Sequence, residues 1–379
     1  MTRAFLAAAF AASLAGGAHA AATVTFLHVF DGADGGCGPQ AGVTFDSAGN
    51  LYGTTASCGA LQRGTIYKLA PDGTFSVLSD FSESGAGLVP EGEMSRSHTD
   101  NFFGTTIGGG ANNGGTLFRF RPAGGRMNIL HAFADGAGGR DPRYALLRDR
   151  DRTIYGVAIQ GGSTGLGTVY KLTEDGTYAV LHDFTNFLLG ETPSSNLVAD
   201  AQGNLYGAAG GGPNDAGIIY KIAAGGAYSI LYAFGSVRHD GTGPNGPIAI
   251  DDDGNIYGTA GGGRHSSGVV YRVAPDGTET MLHVFGDSKD DGIGPNGLML
   301  SRGALYGTTW SIPDDVGTVF KYAITRGRFR TLCSFNGTKG ELPAGRLRRG
   351  PDGAIYGVTQ FNTRRPSAGT IFKLVEGMP

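Results

Sequence analysis

A tripeptide made of an aliphatic residue or Phe, then Tyr or Phe, then Gly recurs seven times along the chain at almost constant spacing. It stands at Leu51-Tyr52-Gly53, Phe102-Phe103-Gly104, Ile154-Tyr155-Gly156, Leu205-Tyr206-Gly207, Ile256-Tyr257-Gly258, Leu305-Tyr306-Gly307 and Ile355-Tyr356-Gly357. Successive glycines are 51, 52, 51, 51, 49 and 50 positions apart. A fixed period of about 50 residues marks one supersecondary unit stacked many times, and it overrides the two or three domains that length alone would suggest.

Within one unit the residues read as β-structure throughout. Val24 to Phe30 alternates and is rich in β-branched and aromatic residues, as a strand should be. A loop through Gly38-Pro39 leads to a second strand at Gly42 to Phe45, which stops at the turn Asp46-Ser47-Ala48-Gly49. Leu51 to Thr55 and Gly64 to Leu69 are the next two, and Pro71-Asp72-Gly73 turns tightly into Thr74 to Leu78. Four strands per period describe one blade of a β-propeller. Other markers keep step: a loop Pro at 39, 90, 142, 193, 244, 295 and 343, and a strand-ending Phe at 30, 81, 133, 184, 234, 285 and 335. The last unit ends without its fourth strand, and the first strand after the leader supplies it. The expectation is therefore an all-β fold, a seven-bladed β-propeller of four-stranded blades closed by pairing the N-terminal strand with the last blade. Closure of this kind removes the unpaired edges that an open sheet exposes.

Met1 to Ala20 has a basic start at Arg3, an apolar run from Phe5 to Leu14 and the small-x-small triplet Ala18-His19-Ala20, which predicts a secretory signal peptide over residues 1–20. The apolar run is too short to span a bilayer, and neither a second hydrophobic span nor a C-terminal anchor is visible. One propeller domain over residues 21–379, soluble and secreted or periplasmic, is the expected mature form. A formal net charge of −3 with both signs dispersed gives no basic block, so neither nucleic acid nor an anionic membrane surface is an expected partner.

At Asn50-Leu51-Tyr52-Gly53-Thr54-Thr55, the Gly-Gly doublets that follow in later units, and Gly64-Thr65-Ile66-Tyr67-Lys68-Leu69, the chain resembles the GloVer tandem repeat family of exported bacterial proteins. The resemblance covers residues 24–374. It implies export, and in many members a C-terminal surface anchor that is not visible here, but it brings no established activity and no catalytic residues. Kelch repeats share the period, yet their downstream Trp is missing, since the chain holds a single Trp, Trp310.

Sevenfold positions are read as architecture. His28, His131, His182 and His283 share one position two residues before the strand-ending Phe, and Ser79, Tyr232 and Cys333 take it elsewhere, so a packing or hydrogen-bonding role is expected. Lys68, Arg119, Lys171, Lys221, Arg272, Lys321 and Lys373 form another set on third strands, where long basic stems are expected to cover aromatic surface. Loop carboxylates such as Asp31, Asp34, Asp240, Asp290 and Asp291 match no calcium-loop spacing, so no metal and no cofactor are expected. No Gly-x-Ser-x-Gly, His-Glu-x-x-His or phosphate-loop motif occurs.

Function is then expected where loops depart from the consensus. Arg238, His239 and Asp240 lie in the loop leading into the fifth unit, and Arg264 and His265 in that unit's next loop. Trp310 takes the position of Ala56, Ile107, Ile159, Gly210, Gly261 and Gln360, with Asp314 and Asp315 beyond it, and Phe361, Arg364 and Arg365 follow in the seventh unit. A flat ring flanked by charged hydrogen-bonding groups suits a carbohydrate or a segment of an extracellular protein. Loss of binding in Trp310→Ala and His265→Ala, without unfolding, is the expectation. Two functions fit: a non-catalytic exported protein presenting a loop face to a glycan, envelope component or protein, and an extracellular polysaccharide lyase or hydrolase at the channel mouth. Arg or His converging with carboxylates within hydrogen-bonding reach in one pocket would favour the second. Cys37 and Cys58 fall in loops that a meander places on one face, so an oxidising compartment allows a Cys37–Cys58 disulfide, with Cys333 left as a buried thiol.

Overall fold

A computed structural model describes residues 22–377 other than 31, 33–34, 83–86, 135, 289, 312–316, 336–339 and 362–368. Each repeat folds as one antiparallel sheet. In blade 1, Thr44–Phe45, Leu51–Thr55, Thr65–Leu69 and Phe75–Asp80 pair in chain order, and blades 2 to 6 follow the same plan. Blade 4 splits its first strand into Glu191–Pro193 and Val198–Ala199, both paired with Leu205–Gly210. Blade 7 joins Glu341–Arg349, Ile355–Phe361 and Thr370–Val375 to the N-terminal strand Thr23–Val29, in register Thr23 to Val375 and Phe26 to Phe372. The ring is therefore a seven-bladed propeller closed by its N-terminal strand, as the strand count requires. The predicted leader lies outside the described residues.

The sevenfold markers are the contacts each blade must repeat. The motif glycine makes room for a ring: the Tyr67 ring of the neighbouring strand lies directly over Gly53, and Tyr170, Tyr220 and Tyr271 lie likewise over Gly156, Gly207 and Gly258. A Cβ there would collide with the ring. Each strand-ending Phe is at most 2% exposed and meets the next blade's third-strand aromatic edge-on, with centroids 5.0 to 5.5 Å apart, as in Phe30 on Tyr67 and Phe335 on Phe372. Such pairs contribute about 0.5–1.5 kcal/mol each beyond the area they bury. Each loop Pro rests on the glycine that opens the preceding blade's third strand. Gly64, Gly115, Gly167, Gly217, Gly268, Gly317 and Gly369 have φ between +72° and +106°, and Pro39 seats on Gly369 to complete the circle. At these seven places only Gly supplies both the backbone angle and the clearance.

The repeated histidines are packing groups. His28, His131, His182 and His283 stack face to face on Phe75, Tyr178, Tyr228 and Phe329 of the next blade at 3.6 to 3.8 Å. Where the next blade offers Met127, Glu279 or Val24 instead, the position holds Ser79, Tyr232 or Cys333. Burial holds His131, His182 and His283 below the usual histidine pKa, so they stack as neutral imidazoles at pH 7. The basic set on the third strands behaves as long stems over aromatic rings: Lys221, Lys321 and Lys373 sit 5.6, 5.3 and 5.9 Å from the ring centres of Tyr206, Tyr306 and Tyr356. Cys37 is bridged to Cys58 with Cα atoms 5.4 Å apart, while Cys333 is a buried thiol whose pKa burial pushes up to about 12. Among the described residues no helix is long and apolar enough to cross a membrane.

Candidate functional site

The segment after each loop Pro leads into or along the first strand of its blade, and in six blades these segments wall one central cavity. The cavity there measures about 410 Å³ and takes residues from six blades. Small and amide side chains line part of it, among them Gln40, Asn245 and Asn296, whereas blades 2, 3 and 7 bring Glu91, Glu93, Arg143, Tyr144 and Arg346. Trp310 and Gln360 hold the same repeat position at the ends of second strands, and both reach this cavity, so they mark where it opens on the loop face. Trp310 is 57% exposed.

The charges in the channel are matched in part. Arg143 grips Asp141 through Nε and Nη2 at 2.9 and 3.0 Å, which leaves Nη1 3.3 Å from Glu91. Burial raises the Glu91 carboxyl above its usual pKa against the pull of Arg143. Glu93 is buried, with Oε1 3.5 Å from Arg348. Glu93 Oε2 and Arg346 Nε have no hydrogen-bond partner among the described residues. Burial lowers the Arg346 pKa, with Glu93 pulling it back. Burial also pushes the Tyr144 phenol up to about 12, so it remains a neutral donor. Arg and carboxylates thus converge in one pocket.

The loop residues singled out by sequence divide among several places. Trp310 lines the channel mouth, and Phe361, next after Gln360, is 38% exposed. Arg264 and His265 meet on Asp287 of the loop leaving blade 5, where His265 Nε2 is 2.7 Å from Oδ1 and Arg264 Nη2 is 2.6 Å from the same oxygen. Those contacts hold Asp287 below its usual pKa, the bond from His265 most of all. Asp240 is buried and organises its own loop, accepting from Tyr232 Oη at 2.7 Å and Gly235 N at 3.0 Å, while Arg238 and His239 are exposed. Asp291 is buried 3.4 Å from His283 Nε2. Asp31, Asp34, Asp314, Asp315, Arg364 and Arg365 lie outside the described residues. Among the described residues no three His, Cys, Asp or Glu side chains gather as metal ligands would. The channel charges were missed by sequence reasoning, although Glu91, Glu93, Arg143 and Arg346 also depart from the uncharged residues of other units.

Chemically, this site offers a flat apolar ring beside fixed amides and paired charges, at the end of a closed ring of blades. That defines a propeller with a solute-sized, polar channel mouth. The chain belongs to the Gloeobacter/Verrucomicrobia repeat family, whose description matches residues 15–210, 86–261 and 208–377. No curated protein matches by sequence. Among solved structures it is similar to an oligogalacturonate lyase in complex with manganese, at 12% identity and TM-score 0.63 over 97% of this chain and 96% of that one. It is similar also to virginiamycin B lyase from Staphylococcus aureus, at 13% identity and TM-score 0.60 over 89% and 96% of the two chains. At such identities the likeness concerns the fold alone.

Proposed function

We propose that the protein is an exported, non-catalytic binding protein that takes a carbohydrate at the channel mouth, with the Trp310 ring as platform. The observation that carries this reading is the exposed Trp310 at the rim of a cavity of about 410 Å³ whose wall supplies Gln360, Asn245 and Asn296. A sugar face loses apolar surface to the indole while its hydroxyls meet the amides and the paired charges. Since Trp310 is the only Trp in the chain, intrinsic fluorescence reports on the site directly. A glycan array selects the ligand, and titration of the selected oligosaccharide should then change the emission saturably. On the same array and by calorimetry, since the variant holds no Trp, Trp310→Ala should lose binding while keeping the melting temperature. Undiminished affinity in that variant would place the site elsewhere.

A second reading, an extracellular polysaccharide lyase or hydrolase at the same mouth, is favoured by the convergence of Glu91 with Arg143 and of Glu93 with Arg348 and by the raised pKa of Glu91. Incubation of the bound oligosaccharide separates the two. Chain cleavage that Glu91→Gln removes at unchanged affinity supports catalysis, whereas intact ligand supports binding alone.

A further inference from the structure

The repeat contains its own control for a second site, independent of the channel mouth. In six blades the motif tyrosine donates its hydroxyl to a carboxylate. Tyr52, Tyr155, Tyr206 and Tyr257 bond to Asp46, Asp149, Asp200 and Asp251 of their own turns at 2.9 to 3.1 Å, and Tyr356 bonds to Asp352 at 2.9 Å. Tyr306, whose turn lacks the Asp, bonds instead to Glu376 at 2.7 Å. Blade 2 has neither partner, because Phe103 stands for the tyrosine and Ser97 for the aspartate.

The junction of blades 6 and 7 shows what that absence leaves behind. Lys321 and Arg349 lie 5.3 and 5.1 Å from the centre of the Tyr306 ring, and the Glu376 carboxylate sits among them. It accepts from Lys321 Nζ at 2.5 Å and lies 3.8 Å from Arg349 Nη2. At the junction of blades 2 and 3, Arg119 pairs across strands with Phe103 as Lys321 does with Tyr306. Arg148 pairs with Ile154 as Arg349 does with Ile355, and its guanidinium is 5.3 Å from the Phe103 ring centre. The two cations and the ring are thus reproduced, and the carboxylate is not. Arg119 Nε and Arg148 Nε are buried without a hydrogen-bond partner among the described residues. Between them opens a cavity of about 250 Å³, lined also by Ser97, Thr99, Asn101 and Thr173. Glu174, the carboxylate in its wall, is engaged at 2.6 Å by Arg152.

We propose that this pocket between blades 2 and 3 binds an oxyanion, the carboxylate, phosphate or sulfate group of a small ligand, in the place that Glu376 fills between blades 6 and 7. Guanidinium forks match such groups in geometry and charge, and hydroxyl and amide donors complete the shell. In an up-and-down blade the turns that frame this pocket lie at the opposite strand ends from the loop of Trp310, so both sites can be filled at once.

Calorimetric titration of the mature protein with inorganic phosphate, sulfate, glucose 6-phosphate and glucuronate, against chloride at matched ionic strength, tests the proposal. At least one should bind with a Kd below about 1 mM. Preference for the inorganic anions identifies a free ion, and preference for either sugar identifies the corresponding ester or acid. Arg148→Gln should weaken binding at least about tenfold. Ser97→Asp keeps the fold safe, because Asp already fills this turn in blades 1, 3, 4 and 5. Its carboxylate should occupy the pocket from within and abolish anion binding at an unchanged or raised melting temperature. Failure of all four probes to bind, or undiminished binding in Ser97→Asp, overturns the proposal.

Discussion

Glu279 stands where four other blades present an aromatic ring to a stacking histidine, and its neighbour Asp240 is buried. Burial, with Asp240 adding to it, pushes the Glu279 carboxyl from 4.5 up to about 7. A carboxyl raised in the folded state binds its proton there at pH values where the unfolded chain has already released it. The folded state then holds more protons than the unfolded one between pH 4.5 and about 7, so stability falls as pH rises through that window. The turn carboxylates act with the opposite sign. In Asp46, Asp200 and Asp251 burial is outweighed by bonds from Asn50, Asn204 and Asn255 and from the motif tyrosines, which holds each below 3.8. Their contribution is present above that value and is lost as pH falls below it. Glu279→Gln should therefore flatten the decline between pH 5 and 7 and leave the acid limb unchanged. Urea unfolding at a series of pH values measures it, and parallel curves for variant and parent would count against this account.

At the scale of the element, the N-terminal strand holds two junctions rather than one. Thr23–Val29 adds a ladder to Thr370–Val375, with Val24 and Phe26 packed into blade 7. It then delivers His28 and Phe30 across to Phe75 and Tyr67 of blade 1. Removing a buried Phe alone typically costs about 3–5 kcal/mol, a large share of the roughly 5–15 kcal/mol that stabilises a folded domain. Deletion of residues 22–30 also leaves Thr370–Val375 as an open edge ready to pair with another chain. The truncated protein is expected to lose its cooperative melt and to aggregate. A truncated chain that melts like the protein with residues 22–30 in place would show that the ring closes without this strand.

For the whole molecule, what was legible in the sequence is what the ring must repeat. The blade number, the closing strand and the structural character of the repeated histidines could be read because Phe30 and Pro39 each perform a contact that recurs at every junction and Gly53 one that recurs within every blade. The channel wall could not be read in the same way. Glu91 and Arg346 are far apart in sequence and line one cavity only because six blades converge on it, so their chemistry resides in the ring and not in any segment. Departure from the repeat consensus grouped Arg264 and His265 with Trp310, and what it could not show is that both bond to Asp287. The ring also makes the choice of chain ends arbitrary. Thr23 lies opposite Val375, so a short glycine-rich linker can join residue 377 to residue 22. Reopening the chain between Asp276 and Gly277, in the exposed turn before Glu279–Val284, gives a permutant in which the outer strand of blade 5 comes from the new N-terminus and its other three strands from the new C-terminus. This is the native mode of closure moved by five blades, with every interblade contact retained. The permutant should melt within about 4 °C of the parent, the upper end of the shift that about 1 kcal/mol produces in a domain of roughly 150–250 residues. A fall well beyond that, with the linker length varied to exclude strain, would mean that the seventh blade is a special seam and not one equivalent station of the ring.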